Sequence, residues 1–267
     1  MVKGRGREIP PLVIVTWTQA VAALAWLTFF GLSGLRFTAP GRAWPAIAAS
    51  SVLVIGMGGL LARASARGDI SIVGPVFALS PIFTVLPDFV LSRTVPSALG
   101  WLGLALAVSG TVSLSGGAAG PSLRVIFARR DALDALGAAV LLGFLAAVDR
   151  WGALVMGPPS YLVCSHGATA MLTAIILLVT TPRALATTVT PRNVVTLVGH
   201  GLLGVTGTGM QTTALTMAPA AYVNAIRRMS AVIAVVLGGA LFREADIGRR
   251  FIAALLACAG AACLLYS

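Results

Sequence analysis

The sequence predicts an all-α, polytopic membrane protein, a bundle of about nine transmembrane helices. Three observations lead there. Apolar residues fill 58% of the 267 positions and charged residues only 10%, against roughly 25% charged in an ordinary soluble domain. Nine apolar runs follow one another, each near the roughly 17 to 25 residues that cross a hydrocarbon core. The eight acidic residues fall mostly between those runs, where water reaches the chain.

The run at 11–31 follows Lys3, Arg5 and Arg7 and is too long for the apolar core of a signal peptide, so it reads as a helix that stays. The runs at 45–62 and 71–91 contain Gly56, Gly59, Pro75, Pro81 and Pro87, residues that lipid-embedded helices tolerate. The run at 97–115 closes a first group. A linker at 116–131, Gly-rich and then basic at Arg129 and Arg130, separates it from the second group. That group comprises runs at 132–153, 160–180, 194–215, 219–242 and 249–266. The expected organisation is therefore residues 1–115, linker 116–131, and residues 132–267.

The net charge of +11 is dispersed over nearly every connection and forms no stripe, which points to membrane topology and away from nucleic acid. Cys164, Cys258 and Cys263 lie in apolar runs without metal-type spacing to His166 or His200, so neither metal nor cofactor is expected. There is no phosphate-cradling loop and no recognisable Ser/His/Asp setting, hence no enzyme signature and no catalytic residues.

The two groups overlay on each other. Pro10 and Pro11 fall on Pro158 and Pro159 at an offset of 148, as Gly56 and Gly59 do on Gly204 and Gly207. At an offset of 150, Val73 falls on Val223, Ser80 on Ser230, Leu91 on Leu241, Arg93 on Arg243 and Gly110 on Gly260. Chance matches are common in Ala- and Gly-rich helices, but the near-constant offset holds across four segments. Segment 132–153 has no partner, so the inferred plan is five helices plus five with the opening helix missing. An odd number of helices per repeat makes the copies enter the membrane from opposite sides, giving inverted-topology repeats around a midplane site.

The pattern resembles the EamA-type members of the drug/metabolite transporter superfamily from about Pro11 to Leu265. Arg67-Gly68-Asp69-Ile70-Ser71, Gly74-Pro75, Leu79-Ser80-Pro81 and the Gly100 to Gly110 stretch carry the likeness in the first half. Asp149-Arg150, the 225–230 stretch Ala-Ile-Arg-Arg-Met-Ser, Leu241-Phe242-Arg243-Glu244 and Gly260 carry it in the second. The resemblance implies a ten-helix secondary transporter in two repeats. The chain departs from that plan in its missing first helix and in Thr94, which stands where the second half has Glu244.

Ionisable groups inside lipid are expensive and are functional candidates by default. Arg227 lies about eight residues into its run, roughly 12 Å deep at 1.5 Å per residue, with Arg228 beside it and Asn224 one turn earlier on the same face. Their overlay partners, Phe77 and Ala78, carry no charge. At least one arginine is expected to face a substrate cavity, against a structural pair tied to carbonyls or to Asp149. Asp149 and Arg150 are expected as a solvated interfacial pair, with Asp149 binding a proton as the functional alternative. Trp17, Gln19, His166 and Gln211 complete the candidate pathway, with interhelical hydrogen bonding as the competing role. Asp88, five residues before Arg93, reads as a helix-end feature.

The expected function is secondary export of a small organic metabolite, such as an amino acid or metabolite anion, by alternating access. The partners are that solute, the lipid bilayer and a coupling proton. The alternatives are a multidrug efflux carrier, an intramembrane enzyme or a lipid-handling protein. Ala-, Arg- and Val-rich usage suggests a bacterial inner membrane.

Overall fold

The computed structural model describes residues 10–67, 70–115, 129–181, 191–228, 230 and 247–267. All regular structure among these is helical: α1 (Pro11–Ser33), α2 (Trp44–Arg67), α3 (Ile70–Phe77), α4 (Ser80–Ser92), α5 (Ala98–Ser115), α6 (Arg130–Met156), α7 (Pro158–Thr180), α8 (Pro191–Met217), α9 (Ala220–Arg228) and α10 (Ile247–Leu265). Seven of the nine predicted runs begin in one of these helices, and those at 97 and 219 begin one residue before α5 and α9. Five stretches are long and apolar enough to cross a membrane: Leu12–Ser33, Gly41–Arg67, Val73–Ser92, Arg130–Met156 and Pro158–Thr180. Large apolar side chains such as Leu32, Val179 and Leu203 are 85%, 78% and 79% exposed. Surface of that kind is unfavourable against water and natural against lipid. The protein is a membrane helix bundle.

Local chemistry explains the helix ends. α1 stops at Gly34, whose left-handed backbone (φ 64°) needs no Cβ accommodation. Gly157 (φ 80°) makes the turn between α6 and α7, and Pro158 and Pro159 then open α7, where their missing N–H groups cost nothing. The single predicted run 71–91 is interrupted at Ala78 and Leu79, splitting it into α3 and α4. Pro81 is the cause: it cannot donate to the carbonyl of Phe77 and its ring crowds that carbonyl. Inside the helices, Thr16, Thr84, Thr111, Thr169 and Thr173 donate their hydroxyls to carbonyls four residues back, so these groups need no water.

The chain forms two compact units that each draw on both halves of the sequence. Unit 1 comprises residues 1–55 and 151–216 and contains α1, the first half of α2, α7 and nearly all of α8. Here α1 lies along α7, and the hydroxyls of Thr169 and Ser51 meet at 3.1 Å. α8 approaches α1 closely at two glycines: a Cβ on Gly201 would stand 2.8 Å from Val21, and one on Gly209 would stand 2.6 Å from the Trp26 ring. Thr38, in the connection after α1, donates its hydroxyl to the carbonyl of Met156 at 2.7 Å.

Unit 2 comprises residues 56–150 and 217–267. Its tightest pair is α5 with α10, and their contact is reciprocal. A Cβ on Gly110 would meet the backbone of Ala257 and Ala253; one on Gly260 would meet that of Ala107 and Gly103. Each set lies 150 residues from the other, so the two helices present equivalent positions to each other. α9 packs on α4 and α5, where Tyr222 fills the space beside Gly100 and its hydroxyl accepts from the Ser97 N–H at 3.2 Å. Ala64, Val73, Val76, Ala132 and Ala135 join α2, α3 and α6 in a small-residue core.

Candidate functional site

Two places gather polar side chains within apolar helices, one in each unit. In unit 1, α1 contributes Thr18, Gln19 and Ala22, α7 contributes His166, and α8 contributes His200, Gly201, Gly204 and Thr208 to one cavity of about 150 Å³. The absence of a side chain at Gly204, where a Cβ would meet nothing within 4 Å, leaves room for it. The carbonyl of Gln19 is hydrogen-bonded to Nδ1 of His166, 147 residues away in sequence. Nε2 of His166 is buried and has no hydrogen-bond partner. The hydroxyls of Thr18 and Thr208 are taken by carbonyls of their own helices. Among the described residues, no acidic or basic side chain other than the two histidines lines the cavity.

Gln19 and His166, two separate sequence candidates, are thus brought together by an interhelical hydrogen bond, with His200 as a third member of the cavity. Trp17 and Gln211 belong to the same unit, half-buried, but do not line this cavity.

In unit 2 the candidates separate into different environments. Asn224 is 3% exposed and its amide donates to Thr84 Oγ1 at 3.0 Å, joining α9 to α4. Arg227 is exposed and feels the charge of half-buried Asp149. The guanidinium of Arg228 lies over the Phe77 ring, 4.5 Å from its centroid, which is a cation–π distance. Its Nε is buried without a hydrogen-bond partner. Phe77 is the last residue of α3, so the helix break caused by Pro81 sits beside this stacked pair. Met229, residues 231–246 and with them Glu244 lie outside the described residues, as do Gly68, Asp69 and most of the linker.

Two expectations are corrected. Arg150 is not half of a solvated interfacial pair with Asp149: it is 8% exposed, and its Nη1 donates to Asp88 at 3.0 Å and to Thr94 at 2.9 Å. Asp88 is not a helix-end feature solvated near Arg93: it is 2% exposed, and its second oxygen accepts the N–H of Ala220 at 2.8 Å, at the start of α9. A charge in lipid is held by whatever opposite charge the fold supplies, and here that partner is 62 residues away. Arg93 instead turns outward from a left-handed backbone (φ 54°) and covers the Phe89 face. The signal available in the sequence was an acidic residue inside an apolar run, three residues before the end of that run at 91.

Beside this network lies an apolar cavity of about 410 Å³ lined by Ile82, Val85, Leu86, Phe89, Val95 and Trp101 among others.

The sequence profile of the EamA-like transporter family matches residues 1–116. Among solved structures, a crystal structure of another protein superposes with a TM-score of 0.72 at 19% identity, covering 97% of this chain and 88% of that one. At that identity the likeness is one of fold. No curated protein sequence matches the chain.

Proposed function

Starting from an EamA-type transporter, the family whose profile fits residues 1–116, we propose that this chain moves a small organic solute out of the cytosol by alternating access. The family match over residues 1–116 supports a drug/metabolite-type carrier in the membrane, and the finer reading concerns the solute and the path. A metabolite anion such as an amino acid or a carboxylate is the solute favoured here. The observation that carries this choice is the Arg227–Arg228 pair, with Arg228 stacked on Phe77 and its Nε left without a partner. A guanidinium held on an aromatic face keeps a planar fork of donors, the geometry that pairs bidentately with carboxylate or phosphate. Inverted repeats are supported by the reciprocal approach of Gly110 and Gly260 at an offset of 150. A bacterial inner membrane is the proposed location.

The experiment is counterflow of labelled solutes in liposomes holding the purified protein, repeated with Arg227→Leu, Arg228→Leu and Arg228→Lys. Loss of exchange in the leucine variants with an unchanged melting temperature supports an arginine in the site. A comparable loss with lysine assigns bidentate recognition. Exchange at the original rate in both leucine variants removes the arginines from the site. The apolar cavity beside α4 favours a second reading, efflux of an amphipathic drug. Competition by hydrophobic cations and indifference to both arginines would select it.

A further inference from the structure

We propose that His166, with Gln19 and His200 around the unit 1 cavity, is a proton-binding site that couples transport to a proton gradient. This rests on the carrier reading above and adds to it the identity of the coupling ion and the residue that takes it. Gln19 presents its amide oxygen to Nδ1 of His166; an oxygen can only accept, so this pairing assigns the imidazole proton to Nδ1. Nε2 is therefore a lone-pair acceptor, and it is buried with nothing to accept from. A buried acceptor without a donor is costly. A carrier that alternates between conformations can hold such a group in one of them because a donor arrives in another.

The surroundings narrow what arrives. Thr18 and Thr208 donate to backbone carbonyls of their own helices and have no hydroxyl proton left to give. α1 carries no charged residue at all between Pro11 and Ser33. α8 presents His200 at the cavity and has Arg192 only in its first turn. The part of α2 in this unit, residues 44–55, has no charged residue, and α7 itself offers only Tyr161, Cys164 and His166 as titratable groups. Among the described residues of unit 1 no carboxylate is there to trap a cation. A solute cation would find no counter-charge, and an anion would meet an acceptor.

A proton differs from both. It converts Nε2 into a donor and leaves the new imidazolium held by the Gln19 oxygen through Nδ1. The cavity of about 150 Å³ has room for several waters. His200 lies on its exposed side. Without a carboxylate partner the site releases its proton again easily, as a coupling site must.

The chain has only two histidines, so protein labelled with ¹⁵N-histidine in nanodiscs shows two imidazoles, assigned by a His200→Asn variant. The expected result is a neutral Nδ1–H tautomer for His166 that gains a second proton on acidification from about pH 8 to about pH 3. Gln19→Leu should move that transition for His166 and leave His200 in place. A His166 signal that keeps one protonation state over the range, or is indifferent to Gln19→Leu, overturns the proposal.

Liposomes with an imposed pH gradient separate this idea from the carrier reading. If a solute still equilibrates in His166→Gln and His166→Asn but the gradient no longer drives its accumulation, the proton site stands. Unchanged gradient-driven accumulation in both variants overturns it. If no solute moves in any form, the carrier reading fails and the nitrogen titration still decides whether His166 binds a proton.

Discussion

At the scale of single residues, the group with the most to lose is Asp88. Its carboxylate neutralises Arg150 and closes the first turn of α9 through Ala220, so it joins three helices of unit 2. Removing one member of a buried ion pair leaves the other charged and uncompensated, at a cost of about 3–5 kcal/mol. Asp88→Ala should therefore lower the melting temperature in detergent sharply. Asp88→Asn should do so less, because an amide oxygen still accepts from Ala220. The double variant Asp88→Ala, Arg150→Met should recover part of the loss, since it removes the stranded charge together with its partner. Additive effects in that cycle would mean that the pair is not coupled. Asn224 makes the same point from the other side. Its amide is consumed by Thr84, whose own hydroxyl still donates to Ser80, so Asn224→Leu should cost about 0.5–1.5 kcal/mol by removing the bond, a loss measurable as a lower melting temperature.

At the scale of helices, glycines divide into those that permit contact and those that only fill a turn of helix. A Cβ on Gly260 would stand 2.3 Å from the Ala107 nitrogen, which is backbone and cannot rotate away. Gly260→Ala should force α5 and α10 apart and cost about 1–3 kcal/mol. A Cβ on Gly58 meets nothing within 4 Å, so Gly58→Ala should be neutral or stabilising by up to about 1 kcal/mol, through its helix preference alone. Thermal melts of the two variants side by side check the contrast, and equal shifts would show that the α5–α10 contact is looser than its geometry. The sequence contained half of this information. Gly110 and Gly260 were visible as a matched pair, because offset is a property of sequence. That each would touch the other's neighbours was not, because facing depends on helix rotation, and α5 shows no amphipathic stripe in a chain apolar on all sides. The break between α3 and α4 was similarly half visible: three prolines were evident in run 71–91, but which of them would interrupt the helix depended on packing.

For the whole molecule, fold class was the easiest property to read, since the length and apolarity of runs follow directly from the thickness of lipid. The polar sites were harder for a physical reason. Each is built from residues 56 to 147 positions apart, so composition gives the residue types and the fold alone gives the pairing. Gln19 and His166 were both candidates and meet; Asp88 and Arg150 were dismissed separately and meet as well. Orientation in the membrane is the remaining global property, and it rests on charge. Thirteen of the nineteen basic residues fall in the N-terminus and in the connections at 63–69, 116–131, 181–193 and 243–250, whereas the alternate connections hold only Arg36, Arg42, Arg93 and Arg150. The structure thins the second group further, because Arg150 is buried against Asp88 and no longer counts as a loop charge. Arg63 and Arg67 stay on the outside of the fold at 56% and 61% exposure, close to Asp134. Lys and Arg are retained on the cytoplasmic side during insertion. The expected arrangement is therefore a cytoplasmic N-terminus and, after nine crossings, Ser267 on the opposite face, against the cytoplasmic C-terminus that the family resemblance implies. A reporter active only in the cytoplasm should stay silent when fused after Ser267 and become active when fused within 116–128. Activity at Ser267 would reverse the assignment and give the family's arrangement precedence over the charge bias.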